Sequence, residues 1–223
     1  MWLPAAWALV AVAPNRRTAE KITKWGLRLY FLAIGCRVRV LGREHLHPPP
    51  RVFVCNHSSN LDVLALMAAL GSEYHFVAKS EVHGMRFIGT FLRKLGHFAF
   101  DRGDPGARMR QSREIQAALS RGESVFIFPE GTFSAQPGVR VFHLGAFHAA
   151  AMAQCPIIPI GLDGTRRMLR DKTYLPLPAW IDVIVCAPIQ PVSVERKDSR
   201  QEIARLRDAS REAISRAVRE PLL

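Results

Sequence analysis

The 223-residue chain lacks any cysteine pattern of a metal or redox site: its four, Cys36, Cys55, Cys155 and Cys186, lie far apart among apolar, strand-like neighbours. That usage fits reduced, buried thiols in a cytosolic compartment. His143 and His148 are not in the H-E-x-x-H spacing of a metalloprotease, so no metal and no cofactor is expected. There is no Gly-x-Ser-x-Gly elbow, which argues against a serine hydrolase. Internal repeats and low-complexity tracts are also missing. Acidic residues are few, 19 Asp plus Glu against 31 Lys plus Arg, for a formal net charge of +12. Such an excess favours an anionic partner: nucleic acid, phospholipid head groups or a phosphorylated substrate. The basic residues are scattered and no groove-reading or RNA-binding motif occurs, so no nucleic-acid partner is expected.

The apolar leader MWLPAAWALVAVAP, residues 1–14, is shorter than the about 20 residues that cross a bilayer. No positive charge precedes it, as a secretory signal would require. In the stretch TAEKITKWGLRLYFLAIG that follows, Ile22, Trp25, Leu29 and Leu32 recur at helical spacing, with Lys21, Lys24 and Arg28 one residue earlier in the same rhythm. Apolar bulk with Trp beside a row of cations suits a helix lying in a membrane interface. A core helix that buries its Trp/Leu face and solvates its lysines has the same pattern. The leader favours the first reading: residues 1–36 as an N-terminal membrane-associating helical segment, seated peripherally or monotopically. The surface would be the cytoplasmic face of a membrane, the inner membrane in a bacterium.

What is present is a core. The chain is 48% hydrophobic. Short β-rich runs recur at 37–42, 51–56, 74–79, 97–100, 124–128, 156–162 and 181–189. Helical patterns separate them at 61–70, 84–95, 106–121 and 143–154. Several strand runs are apolar throughout, as strands covered on both faces are. The alternation predicts an α/β fold: a single domain over 37–223 with a central, mostly parallel or mixed sheet flanked by helices. The tail from Ser199 carries Ile203, Leu206, Ile214 and Ala217 on one side and predicts a closing amphipathic helix.

Three stretches offer chemistry. In VCNHSSNLDVLAL, 54–66, a strand hands over to a helix between His57 and Asp62. On one continuous helix the two would point about 140° apart. A turn between them lets His57 fold back, so that Asp62 accepts from one ring nitrogen and frees the other as a base. Asp62 would equally serve as the fourth residue of a Ser59-x-x-Asp62 capping box, with His57 an ordinary polar strand end. In VFIFPEGTFS, 125–134, a strand delivers Glu130, Gly131 and Thr132, either to a site at the sheet's carboxyl edge or to a plain Pro/Gly turn. In GHFAFDR, 96–102, a strand ends at Asp101 and Arg102; the arginine would grip a phosphate or form a surface pair. Lys79 similarly ends the run YHFVAK.

In this order and spacing the stretches resemble the glycerolipid acyltransferases, the family related to 1-acylglycerol-3-phosphate acyltransferase. NHSSNLD is similar to that family's N-H-x4-D block, GHFAFDR to its block ending in Asp-Arg, FPEGTFS to F-P-E-G-T-R-S, and CPIIPIGL to its fourth block. The resemblance spans Leu41 to Ile189 and implies an acyltransferase. Such an enzyme would move a fatty acyl chain from acyl-CoA or acyl carrier protein to the free hydroxyl of a lysophospholipid, most simply 1-acylglycerol-3-phosphate. It implies His57 as general base, Asp62 as its orienting partner, and Arg102, Glu130, Gly131, Thr132 and Lys79 as groups that position the acceptor. Backbone amides near Gly131 are the expected oxyanion donors. Phe133 stands where the family has an arginine and His143 where it often has lysine, which opens the alternative of a different head group. The other classes in play are a basic nucleic-acid-binding module and a non-catalytic lipid-binding relative.

Overall fold

A computed structural model describes residues 8–46, 48–71, 74–79, 84–100, 105–133, 136–169, 176–193 and 199–223; at 79, 86–88, 99–100, 105 and 107–108 it describes the backbone. Among these residues seven strands form where seven are expected: β1 (Arg37–Leu41), β2 (Val52–Cys55), β3 (His75–Lys79), β4 (Phe98–Phe100), β5 (Val125–Ile127), β6 (Ile157–Asp163) and β7 (Trp180–Val185). The run expected at 181–189 stops at Val185, and Ile189 makes only an isolated bridge to Ile157. Pro188, with no N–H to give a ladder, separates the two. The main helices are α1 (Arg16–Ala33), α2 (Asp62–Leu70), α3 (Arg86–Lys94), α4 (Pro105–Ser120), α5 (Gly145–Ala153), the short α6 (Thr165–Met168) and α7 (Ser199–Val218).

The strands pair in the order β1-β7-β6-β2-β5-β3-β4. Only β6 with β7 is antiparallel, so the sheet is mixed. β2 is central, and all four of its residues are buried. Phe53 and Cys55 face one core with Phe76, Phe126 and residues of α1 and α2; Val52 and Val54 face another with residues of α4, α5 and α7. The link from β2 runs through α2 to β3, and the link from its neighbour β5 runs through α5 to β6, over the opposite face. The two connections diverge between β2 and β5. A crevice at the carboxyl ends of such strands is where open α/β sheets take ligands.

α1 shows which of two apolar stripes faces inward. Ala19, Thr23, Leu27 and Phe31, four residues apart, are its buried row. Trp25, Leu29 and Leu32 are 66%, 51% and 68% exposed. The inward row begins with small residues, which lets α1 lie close against α2; Arg28 reinforces the contact by donating from Nε to the Ala68 carbonyl at 2.9 Å. Ile22, grouped with the Trp/Leu face by spacing, instead packs at the edge of the core. The core-helix reading of that face is therefore incorrect. No helix among the described residues is long and apolar enough to cross a membrane.

Candidate active site

β2 ends at Cys55, and the next residue extends its ladder with a side chain. Asn56 donates from Nδ2 to the Leu162 carbonyl at 2.9 Å and accepts the Leu162 N–H on Oδ1 at 2.8 Å, two bonds that mimic a strand residue. The chain then turns, and α2 begins at Asp62. The fully buried Asp62 side chain points back into this turn. Its Oδ2 accepts the Ser58 N–H at 2.7 Å and the Ser59 N–H at 3.0 Å, and lies 2.8 Å from His57 Nδ1. The capping and orienting roles weighed for Asp62 coincide in one oxygen. An ionised carboxylate only accepts, so Nδ1 carries the proton and Nε2 keeps its lone pair. Among the described residues the buried Oδ1 of Asp62 has no hydrogen-bond partner.

β5 brings the second loop. Pro129 and Glu130 occupy the middle of a turn closed by the Gly131 N–H on the Phe128 carbonyl at 3.0 Å; Gly131 has φ 78°, a conformation that favours glycine. That bond engages the amide of Gly131 itself, so of the backbone amides near Gly131 expected to serve an oxyanion this one is already used. The Glu130 side chain turns inward. Oε1 accepts the His57 backbone N–H at 3.1 Å and Oε2 accepts from Arg140 Nε at 3.2 Å. Burial raises the Glu130 carboxyl pKa above its usual value, an effect the His57 amide and Arg140 offset only in part. Arg140 also donates to the Thr132 carbonyl, so the guanidinium braces both flanks of the loop.

Two phenylalanines hold the imidazole plane. Phe128 stacks on His57 with centroids 4.2 Å apart at 21°, and Phe133 meets it edge-on at 5.6 Å. The residue standing in place of the expected arginine thus forms one wall of the histidine's surroundings. Among the described residues Nε2 has no hydrogen-bond partner.

The structure brings together His57, Asp62, Glu130, Gly131 and Thr132. Lys79 lies at the end of β3, in register with Phe100. Arg102 and the neighbouring Asp101 fall outside the described residues. His143 and His148 are both exposed, and among the described residues no three His, Cys, Asp or Glu side chains are grouped as a metal site needs. Sequence reasoning missed Asn56, the amides of Ser58 and Ser59, and Phe128. An amide side chain directly after an apolar strand was the available signal for Asn56.

Fold and site together define an α/β protein with a histidine–carboxylate pair at a topological switch point. Residues 37–163, more than half of the chain, match the acyltransferase family, and the chain belongs to that family. It is 31% identical over 182 residues to a 1-acyl-sn-glycerol-3-phosphate acyltransferase of Chlamydomonas reinhardtii, covering 80% of this chain and 52% of that one. It is 37% identical over 140 residues to the human 1-acyl-sn-glycerol-3-phosphate acyltransferase alpha, covering 60% of this chain and 50% of the human one. The chain thus spans about half the length of these curated relatives. The crystal structure of the LPA acyltransferase PlsC from Thermotoga maritima superposes with a TM-score of 0.69 at 20% identity, over 94% of this chain and 87% of that one, a likeness of fold.

Proposed function

We propose that the protein transfers a fatty acyl group from a thioester, acyl-CoA or acyl carrier protein, to the free hydroxyl of a lysophospholipid. The observation that carries this reading is the 2.8 Å contact of His57 Nδ1 with Asp62 Oδ2, which leaves Nε2 as a base at the sheet's carboxyl edge. The lipid hydroxyl attacks the thioester carbonyl as Nε2 takes its proton. The tetrahedral intermediate collapses, the C–S bond breaks, and the proton passes to the departing thiolate. An ester and a free thiol result, with no acyl-enzyme. Asp62 holds the tautomer and stabilises the transient imidazolium. Glu130, bonded to the His57 backbone, fixes the histidine's loop against its own.

1-Acylglycerol-3-phosphate is the first acceptor to try, because relatives carry that activity in their names. Phe133 and the internal engagement of Arg140 favour a second reading, an acceptor whose head group needs no arginine from this loop. Purified protein, one labelled thioester and a panel of lysolipids, read by mass spectrometry, decides between them. Labelled phosphatidic acid as the main product supports the first reading; another diacyl lipid supports the second. No acyl transfer to any lysolipid overturns both.

The bare Trp25/Leu29/Leu32 face supports a seat on a lipid surface. Lifting an acyl chain into water costs roughly 0.8 kcal/mol per methylene, and an enzyme on the bilayer avoids that step. Because Ala19, Leu27 and Phe31 belong to the core, deleting α1 would damage the fold and test nothing. The informative variant is Trp25→Ala with Leu29→Ser and Leu32→Ser. In flotation assays it should lose most binding to anionic vesicles with little change in melting temperature, and wild-type binding should weaken as salt rises. Unchanged flotation of the triple variant would remove α1 from the membrane interface.

A further inference from the structure

The two loops that meet at His57 are also tied together by the segment that follows α7. Gly161 lets the end of α7 lie close on β6: a Cβ there would sit 2.8 Å from the Ala217 Cβ. Arg219 then adopts φ 55°, and the Glu220 N–H returns to the Ser215 carbonyl at 3.2 Å, a Schellman-type turn that reverses the chain. The turn aims the Glu220 carboxylate at two partners. Oε1 accepts from Arg166 Nη1 at 2.5 Å, and Oε2 accepts the Gly138 N–H at 2.8 Å.

Each partner leads to one loop of the site. Arg166, on α6, donates from Nη2 to Ser58 Oγ at 3.2 Å, and the Ser58 N–H is the shortest of the contacts to Asp62 Oδ2. Gly138 lies two residues before Arg140, the brace of Glu130 and Thr132. The Arg166 and Glu220 side chains are 20% and 19% exposed, and among the described residues the buried Arg166 Nε has no hydrogen-bond partner. An ion pair so placed adds little net stability, since desolvation offsets its attraction. Its geometry, in contrast, fixes both loops.

We propose that Arg166 and Glu220 are a coupled pair of positioning residues that hold the His57–Asp62 turn and the Pro129–Thr132 turn in register, an inference that rests on the acyl-transfer reading. Neither touches His57, so both act through Ser58 and Gly138. Misplacing a reacting group by about 1 Å costs on the order of 10²-fold in rate.

The test is a double-mutant cycle with Arg166→Ala, Glu220→Ala and the pair, followed by kcat, both KM values and deuterium uptake of the peptide spanning 56–62. Each single variant should lower kcat by about 10- to 100-fold with KM within about threefold, and the pair should be no slower than the slower single variant. Uptake at 56–62 should rise in all three. Glu220→Gln keeps an acceptor for Gly138 but loses the charge, and it substitutes if an alanine variant fails to fold; it should show a partial kcat loss with the same rise in uptake. Unchanged kcat alongside a lowered melting temperature, or losses that multiply in the pair, would overturn the proposal. Wild type and His57→Ala are run alongside. If wild type transfers no acyl group, the functional reading fails, while uptake at 56–62 in Glu220→Gln still reports on the coupling.

Discussion

Replacing His57 by alanine should lower acyl transfer by about 10²–10⁴-fold, the usual range for a general base, and leave a folded protein that still binds lipid. The imidazole has a basic nitrogen that is fixed in orientation and, among the described residues, unengaged. Phe128 and Phe133 set its plane, and Asp62 sets its proton on Nδ1. Folding should survive because the Asp62 carboxylate keeps two amide donors, Ser58 and Ser59, after the ring is gone. The buried charge is then not orphaned, the condition under which such losses become large. Stopped thiol-release assays at matched protein concentration measure the effect, with circular dichroism and vesicle binding as controls. An alanine variant that is well folded and as fast as wild type would remove His57 from the chemistry.

Asp62 should respond differently to two substitutions. Alanine removes the acceptor of three donors in a fully buried position, and stranding buried amides costs about 1–3 kcal/mol each. Asp62→Ala should therefore lose both activity and several degrees of melting temperature. Asparagine separates the two roles. All three contacts converge on Oδ2, so an amide oxygen there can keep them, while its NH2 takes the place of Oδ1, which has no partner among the described residues. The turn and the tautomer persist, but the negative charge facing the imidazolium is gone. Asp62→Asn should melt closer to wild type than Asp62→Ala and still lose about 10–10² in kcat, through charge alone. Calorimetry beside single-turnover kinetics makes the comparison. If asparagine restores full activity, the carboxylate serves only to cap the turn.

Local pattern carried far into this molecule. Short β-rich runs and intervening helical periods locate the seven strands of the described residues: β2 and β6, buried on both faces, are apolar nearly throughout, β1 and β7 alternate, and a helix must repeat every 3.6 residues. The handover from Asn56 to Asp62 was legible for the same reason: a strand end, a polar turn and a helix start all lie within seven residues. Which distant groups meet at that handover, and through which atoms, was not legible. Glu130 stands 73 positions from His57, and Arg166 stands 108 from Ser58. No periodicity links such residues. The amides of Ser58 and Ser59 have no side-chain signature at all.

The sequence by itself determined the α/β class, the position of nearly every element, the His57–Asp62 pair and the kinship with acyltransferases. These depend on interactions within a few residues, or on motif strings. Tertiary structure alone decided the strand order that sets β2 beside β5, and it turned Glu130 inward to the His57 backbone. It also decided which stripe of α1 is buried. Two apolar rows run along that helix, and the one with small Ala19 and Thr23 fits against α2 and leaves Trp25, Leu29 and Leu32 bare. That choice is made by the shape of the neighbouring surface, which no single segment encodes.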